Sequence, residues 1–171
     1  MNGKIIVIGI LVSSLLGGGA LYYLQVYGFY EPVEVAEVAL VSIVSDEPEL
    51  ISIDNFEAID AESSPIRYRA CFTTDMSLSL LTETYVGLET AAPRNAPAWF
   101  DCFDAEAIGA ELEAGTALPF LGEKNIEFGV DRIVAITENG RGYVWHELND
   151  CGEKAYDGTI VGEECPKRDA E

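Results

Sequence analysis

Residues 130–148 read Val-Asp-Arg-Ile-Val-Ala-Ile-Thr-Glu-Asn-Gly-Arg-Gly-Tyr-Val-Trp-His-Glu-Leu. Two runs rich in β-branched and aromatic side chains, Val130–Thr137 and 142–148, flank Asn139-Gly140, the residue pair best suited to a type I′ turn. The stretch therefore predicts an antiparallel hairpin with apolar side chains on both faces, as in the sheet of an α+β domain. The cross-strand pairs predicted for that turn are Ile136–Tyr143, Val134–Trp145 and Arg132–Glu147.

One helix is clearly predicted upstream of the hairpin, over residues 105–114. Asp104 is placed to cap its N-terminus, and Gly115 is placed to take the left-handed conformation after its end. Ile108 and Leu112 lie four residues apart, so this helix is expected to bury a narrow apolar stripe.

Short strands are predicted before that helix, at residues 50–53 and 66–73, with a turn at 63–65 between them. Residues 33–44 fit either a strand or a helical continuation of the N-terminal segment. Residues 90–98 contain two prolines and are predicted to be a loop. The expected fold class is α+β, with an antiparallel sheet and one or two helices in a disulfide-braced domain.

The first thirty residues contain no acidic side chain, and Lys4 is their single basic one. Residues 5–29 form an uncharged, mainly apolar run that would be about 37 Å long as a helix, enough to cross a hydrocarbon core of about 30 Å. Because Lys4 precedes the run and Glu31 follows it, the positive-inside rule places the N-terminus in the cytoplasm of a bacterial cell. The expected organisation is a cytoplasmic stub and inner-membrane anchor at 1–30, followed by an acidic periplasmic α+β domain at 31–171.

Two features of the N-terminal segment leave alternatives open. Gly18-Gly19-Ala20 offers the small residues that a signal peptidase requires, so a cleaved signal peptide is the alternative to an anchor. Gly9, Ser13 and Gly17 recur every four residues and form a face on which a second membrane helix can pack closely, the alternative being exposure to lipid.

The rest of the chain is strongly acidic. From residue 31 onward the chain contains nine Lys and Arg and all 30 of its Asp and Glu, so this part has a formal charge of −21. A protein that binds nucleic acid by replacing phosphate counterions needs clustered basic residues, so this balance excludes nucleic acid as a partner.

The four cysteines favour disulfides in an oxidising compartment. No two of them form a Cys-x-x-Cys pair, and His146 is the only histidine, so a four-ligand zinc site lacks its usual close-spaced ligands. Three disulfide pairings are possible, and we prefer the two local ones, Cys71–Cys102 and Cys151–Cys165, over four free thiols in a cytosolic protein.

His146 is the one candidate for general-base catalysis, with Glu147 and Asp150 close in sequence. Neighbours in a strand point to opposite faces, so Glu147 is not expected to orient His146. Ser63 and Ser64 precede a proline and are explained by turn formation. The sequence therefore assigns no catalytic, cofactor-binding or metal-binding residue, although Asp101, Asp104 and Glu106 leave weak divalent-cation binding open.

Several motifs together resemble those of an uncharacterised family of single-pass inner-membrane proteins with a periplasmic domain, found in photosynthetic and marine alphaproteobacteria. The segments that carry the resemblance are Met-Asn-Gly-Lys (1–4), Ser-Ser-Pro-Ile-Arg-Tyr-Arg-Ala-Cys-Phe (63–72), Ala-Trp-Phe-Asp-Cys-Phe-Asp-Ala (98–105), Gly-Val-Asp-Arg-Ile-Val-Ala-Ile (129–136), Gly-Tyr-Val-Trp-His-Glu-Leu-Asn-Asp-Cys-Gly-Glu (142–153) and Tyr-Asp-Gly (156–158). The resemblance implies a membrane location and a shared fold, but no activity. Sequences of this kind can carry a histidine kinase label, yet this chain has neither a phospho-acceptor helix nor a glycine-rich ATP-lid domain.

Three functional hypotheses follow from the sequence. The favoured one is an accessory protein that recruits or stabilises a basic periplasmic protein or a membrane protein complex through its acidic surface. The alternatives are a periplasmic ligand or metal sensor and, less favoured, a small enzyme that uses His146.

Overall fold

The computed structural model describes residues 3–163 together with 165 and 166. Helix α1 spans Gly3–Tyr23 and continues as one wide turn of π-helix at Leu24–Gly28. None of the side chains in these two elements is buried. By length and composition the combined helix Gly3–Gly28 can cross a membrane, with a mean hydropathy of 2.2 over an 18-residue window.

Eight strands follow within the described residues, and every neighbouring pair is antiparallel. Six of them form one sheet in the order β1-β4-β5-β8-β7-β6, and β2 and β3 form a separate two-stranded sheet. The strands are β1 (Glu31–Pro32), β2 (Ala39–Val41), β3 (Pro48–Leu50), β4 (Asp54–Asp60), β5 (Arg69–Thr73), β6 (Ala117–Glu127), β7 (Val130–Thr137) and β8 (Arg141–Leu148).

Two helices and one 3₁₀ turn connect the strands. Helix α2 spans Leu78–Thr84, and helix α3 spans Ala105–Glu113. Asp104 caps α3 as predicted, because its carboxylate accepts the N–H groups of the second and third residues after it. Gly115 follows the helix with a φ of +72°, so the predicted end of α3 is also confirmed. The 3₁₀ turn is Pro65–Arg67, between β4 and β5.

The large sheet is covered on both faces, which gives the domain two apolar cores. The first core packs β2, the segment after β3 and α2 against the sheet; its buried members include Leu40, Leu81, Phe72, Val134 and Val144. The second core packs α3 and the loop before it against the other face; its buried members include Phe103, Ile108, Ile133, Tyr143 and Trp145. The alternation of side chains along β7 and β8 supplies both cores.

The hairpin at 130–148 forms, but its predicted turn is wrong. Residues 138–140 make a three-residue loop in which Gly140 alone of the Asn139-Gly140 pair is left-handed, with a φ of +79°. Gly140 N–H donates to the carbonyl of Thr137, and the Thr137 hydroxyl accepts the N–H of Arg141. Such a loop is a type I turn closed by a glycine bulge, and it shifts the pairing by one residue relative to a type I′ turn.

The observed pairs are therefore Ile136–Gly142, Val134–Val144 and Arg132–His146. Position 142 has no room for a side chain, because a Cβ there would come within 2.1 Å of the Phe72 ring on the adjacent strand β5. Tyr143 and Trp145 accordingly belong to the second core, whereas Ile136 and Val134 belong to the first. The shift thus exchanges the partners but keeps both faces apolar.

The upstream strands also differ from the predictions. The strand predicted at 50–53 is wrong, because β3 ends at Leu50 and the next strand begins at Asp54. That next strand, β4, lies in the stretch that was expected to be a polar loop. The strand predicted at 66–73 begins only at Arg69. The segment 33–44 contributes the short strand β2 rather than a helix, and β6 was not predicted.

Two disulfides brace the domain, and they join the pairs expected from local spacing. Cys71–Cys102 connects β5 to the loop before α3, beneath the second core. Cys151–Cys165 closes the segment that follows β8. Loop-closure entropy alone gives each a stabilisation of about 3 to 4 kcal/mol.

Candidate functional site

A polar cleft lies at the end of the sheet where the helix joins it. Arg69 pairs with both Ile59 and Trp145, so the end of β4, the start of β5 and the end of β8 lie at the same end of the sheet. Strand β1 directly follows the helix and pairs with the last residues of β4, so the helix joins the sheet at this end. The cleft has a volume of about 480 Å³ and is lined by Asp60, Ala61, Glu62, Ser64, Pro65, Ile126, Glu127, Arg132 and His146.

His146 is buried in the wall of this cleft, with 5% of its surface exposed. Its Nδ1 lies 2.6 Å from the carbonyl oxygen of Pro65, and its Nε2 lies 3.1 Å from Nε of Arg132. Arg132 is a donor only, so Nε2 must accept, and Nδ1 must carry the proton that it donates to Pro65. The ring also stacks on Tyr68, with the centroids 4.7 Å apart.

This environment keeps the imidazole neutral. Burial lowers the pKa of His146 to about 4, and the positive charges of Arg132 and Arg69 act in the same direction. The carbonyl of Pro65 opposes the shift without cancelling it. The only lone pair of the neutral ring faces a guanidinium, so His146 has no free nitrogen with which to accept a proton from a substrate.

Glu147 does not orient His146, in agreement with its position on the other face of β8. One of its carboxylate oxygens accepts the backbone N–H of Ala92 and the indole N–H of Trp145. Ser64 takes part in the turn that leads into Pro65–Arg67, where its N–H donates to Ala61 and its carbonyl accepts from Arg67. Both residues therefore have structural partners that account for them.

Besides His146, the ionisable residues that line the cleft are Arg132 and the carboxylates Asp60, Glu62 and Glu127. The Arg132 guanidinium lies over the Tyr68 ring, 5.1 Å from its centroid, and 3.6 Å from Glu123. Burial raises the pKa of Asp60, while the N–H of Ala61, at 2.7 Å, and the two nearby arginines oppose that rise. A carboxyl and a guanidinium in one cleft can orient a small polar molecule, although the cleft is open and offers no activated nucleophile.

Arg69 is a second buried polar residue that the sequence did not single out. Its guanidinium is satisfied by four backbone carbonyls, those of Ile66, Tyr68, Arg94 and Asn95, and it lies over the Phe103 ring. Burial lowers its pKa to about 10, so it stays charged. Because it shares a strand face with Cys71, alternation along β5 is the signal that could have shown that Arg69 points inward. Arg69 and the Cys71–Cys102 disulfide together fix the loop 90–104 on the sheet.

The carboxylates considered for cation binding lie apart from this cleft. Asp104 serves as the cap of α3, and Asp101 and Glu106 are exposed beside it, around a shallow groove of about 330 Å³. Among the residues that the structure describes, no three His, Cys, Asp or Glu side chains are grouped so that they could hold a metal ion.

The small-residue face of α1 is open in the single chain. A Cβ added at Gly9 or Gly17 would meet no atom within 4 Å, and the Ser13 hydroxyl donates to Ile10 of its own helix. Close packing against a second helix stays a prediction.

Taken together, the fold and the site define a class of protein: an acidic α+β domain with one six-stranded antiparallel sheet and two disulfides, behind an apolar N-terminal helix. Residues 38–166, about three quarters of the 171 residues, match the model of DUF6446, a family of unknown function, and the chain belongs to that family. No curated protein and no solved structure matches it.

Proposed function

We propose that this protein is a membrane-anchored accessory domain that recruits or stabilises a partner at the periplasmic face of a bacterial inner membrane. The partner is a basic periplasmic protein or the basic face of a membrane protein complex. The observation that carries the proposal is the exposure of uncompensated carboxylates over a domain that is attached to an apolar helix.

The acidic surface is largely unpaired. None of the described Asp and Glu side chains is buried. Within the described ranges, ion pairs to Lys or Arg engage three carboxylates, those of Glu111, Glu123 and Glu163. A domain with a formal charge of −21 attracts basic surfaces over several ångströms and raises their rate of encounter.

The location rests on three supporting observations. Helix Gly3–Gly28 is long enough to cross a membrane, Lys4 and Glu31 flank it with the charge asymmetry of the positive-inside rule, and the two disulfides are typical of an oxidising compartment. The resemblance of its motifs to those of alphaproteobacterial single-pass proteins favours the same location.

A small enzyme using His146 is less favoured, because both ring nitrogens are engaged and the pKa lies at about 4. Ligand binding is the second candidate, and the cleft of about 480 Å³ with Asp60 and Arg132 favours it. It predicts that Arg132→Gln abolishes binding of a small ligand while the acidic surface still holds its partner.

Co-purification of the full-length tagged protein in mild detergent tests the recruiting role. Exposed charges are screened beyond about 8 Å at physiological ionic strength, so a partner held by charge should dissociate as salt rises. Neutralising Asp101 and Glu106 should weaken the same association without unfolding α3, since Asp104 is retained. The control is a double variant with the same change in charge, Glu47→Gln with Glu49→Gln. Glu47 lies in the turn before β3, and Glu49 lies in β3.

A partner held by the helix should behave differently. Leucine at Gly9, Ser13 and Gly17 should displace it, and salt should not. The proposal is wrong if neither salt nor any of these variants changes a co-purifying protein while His146→Ala abolishes function and leaves the fold and every association intact.

A further inference from the structure

We propose that the loop Pro93–Trp99, together with the end of the helix, is a membrane-contact surface that binds phospholipid headgroups, with Trp99 in the interfacial layer. This inference rests on the membrane anchoring in the proposed function, and it is independent of the recruitment of any protein partner.

The depth of the helix end follows from its length. At a rise of about 1.5 Å per residue, a hydrocarbon core of about 30 Å takes up about 20 residues. Counted from Ile5, the first residue after Lys4, the core ends near Leu24. Residues 25–30 therefore lie in the layer of the outer headgroups, where Tyr27 and Tyr30 have the amphipathic character that this layer favours.

Trp99 is held at the same level. Its indole N–H donates to the carbonyl oxygen of Val26 at 2.7 Å. The indole ring lies 6.2 Å from the Tyr27 ring, nearly parallel to it, and 6.0 Å from the Tyr30 ring, edge on. Even with these contacts 38% of Trp99 is exposed. A large amphipathic ring beside the interfacial turn of a membrane helix is expected in contact with lipid.

The charge of the loop fits a phospholipid. Residues 91–100 contain no carboxylate, although the domain carries 30, and Arg94 in their midst is exposed. Arg67 lies beside the helix end, where it donates to Gln25 and lies over the Tyr30 ring. Neither arginine has a carboxylate partner within 4 Å among the described residues.

Arg67 donates to Gln25 through Nη2, and its Nη1 is buried without an acceptor. Arg94 is exposed, so it is the guanidinium that a phosphate oxygen can reach, and phosphate is the acceptor that a guanidinium binds best. A groove of about 300 Å³ opens between the helix end and the loop, with polar and aromatic walls; its lining includes Tyr22, Gln25, Tyr30, Asn95 and Ala98. Headgroup and glycerol atoms of a phospholipid match the depth and polarity of this groove, and the exposed Arg94 of the same loop supplies a positive charge.

The two tryptophans of the chain make the test direct, because Trp145 is fully buried and Trp99 is not. The full-length protein is reconstituted into vesicles of phosphatidylcholine and phosphatidylglycerol whose acyl chains are brominated near the glycerol or near the methyl end. Bromine near the glycerol should quench the wild type more strongly than bromine near the methyl end. Trp99→Phe, which leaves only Trp145, should not be quenched by either.

A third protein separates the possible failures. Leu15→Trp in the Trp99→Phe background places a single new indole at the middle of the anchor, where methyl-end bromines should quench it. If that indole is quenched and Trp99 in the wild type is not, the helix crosses the membrane and the lipid-contact surface is refuted. If neither is quenched, the anchoring itself is refuted, and the lipid contact with it.

Discussion

His146 provides the sharpest test of the interpretation that the polar residues of the cleft hold the fold. The perturbation is His146→Gln, a change that retains one donor and one acceptor but removes the titrating ring. At neutral pH the variant should be less stable, because it loses the stacking on Tyr68 and the fixed hydrogen bonds to Pro65 and Arg132. The difference between the two proteins should then depend on pH.

The sign follows from the direction of the pKa shift. The folded state holds the pKa of His146 at about 4, against an ordinary value of 6.5. Its contribution to stability is fully present above the unfolded value, and it is lost as the pH falls from about 6.5 towards 4, because the unfolded chain takes up the proton first. Between pH 7.5 and pH 5 the wild type should lose about 2 kcal/mol of unfolding free energy relative to the variant.

Chemical denaturation of the disulfide-intact protein at the two pH values measures this difference. The carboxylates titrate in both proteins, so their contribution cancels when the variant is subtracted. A stability difference that stays the same at pH 7.5 and pH 5 would refute a buried neutral histidine. It would also return His146 to the list of candidate catalytic bases.

Four further outcomes are expected. Alkaline phosphatase fused to the C-terminus should be active, and carbonate washing should leave the protein in the membrane; an inactive fusion reverses the orientation, and release favours a cleaved signal peptide. Peptide mapping without reductant should recover Cys71–Cys102 and Cys151–Cys165, with no labelled thiol. Gly142→Ala should cost about 1 to 3 kcal/mol in denaturation experiments, because its Cβ would overlap the Phe72 ring. Asp104→Ala should lower stability by about 1 kcal/mol through the lost helix cap, whereas Asp101→Ala should leave it unchanged.

The elements predicted well from the sequence are those defined by local chemistry. Asp104 and Gly115 mark the ends of α3 through a cap and a left-handed residue, and both signals act within a few residues. The strands of the 130–148 hairpin were equally clear from their β-branched and aromatic residues.

Elements that depend on distant contacts were predicted poorly. Strand β4 carries three acidic residues and a left-handed Asn55, and β6 contains Pro119, two register shifts and a left-handed Asn125. Pairing with β5 and β7 outweighs these unfavourable local features. The register of the hairpin also depended on a distant residue, since Phe72 fills the space beside Gly142.

The candidate site shows the same limit. His146 attracted attention as the only histidine, but its partner Pro65 lies 81 residues away, and nothing local indicates that both ring nitrogens are engaged. Arg69 was overlooked because an arginine in a short strand is more often exposed. Its burial depends on carbonyls contributed by the loop at Arg94 and Asn95.

Charge and the proposed anchorage together constrain how the domain would face a partner. A formal charge of −21 is repelled by a membrane that contains anionic phospholipids, and on a long tether such a domain would stand away from the surface. The tether here is short, because only Phe29 and Tyr30 separate the π-helical turn from β1, which is already paired in the sheet. If the helix crosses a membrane as we propose, the same repulsion acts on the orientation of the domain, and it favours turning the carboxylate-free stretch at 91–100 towards the lipid. Glu31, Asp60 and Glu62 lie beside the helix end, whereas the carboxylates on the rest of the surface stay accessible to the basic partner that we propose.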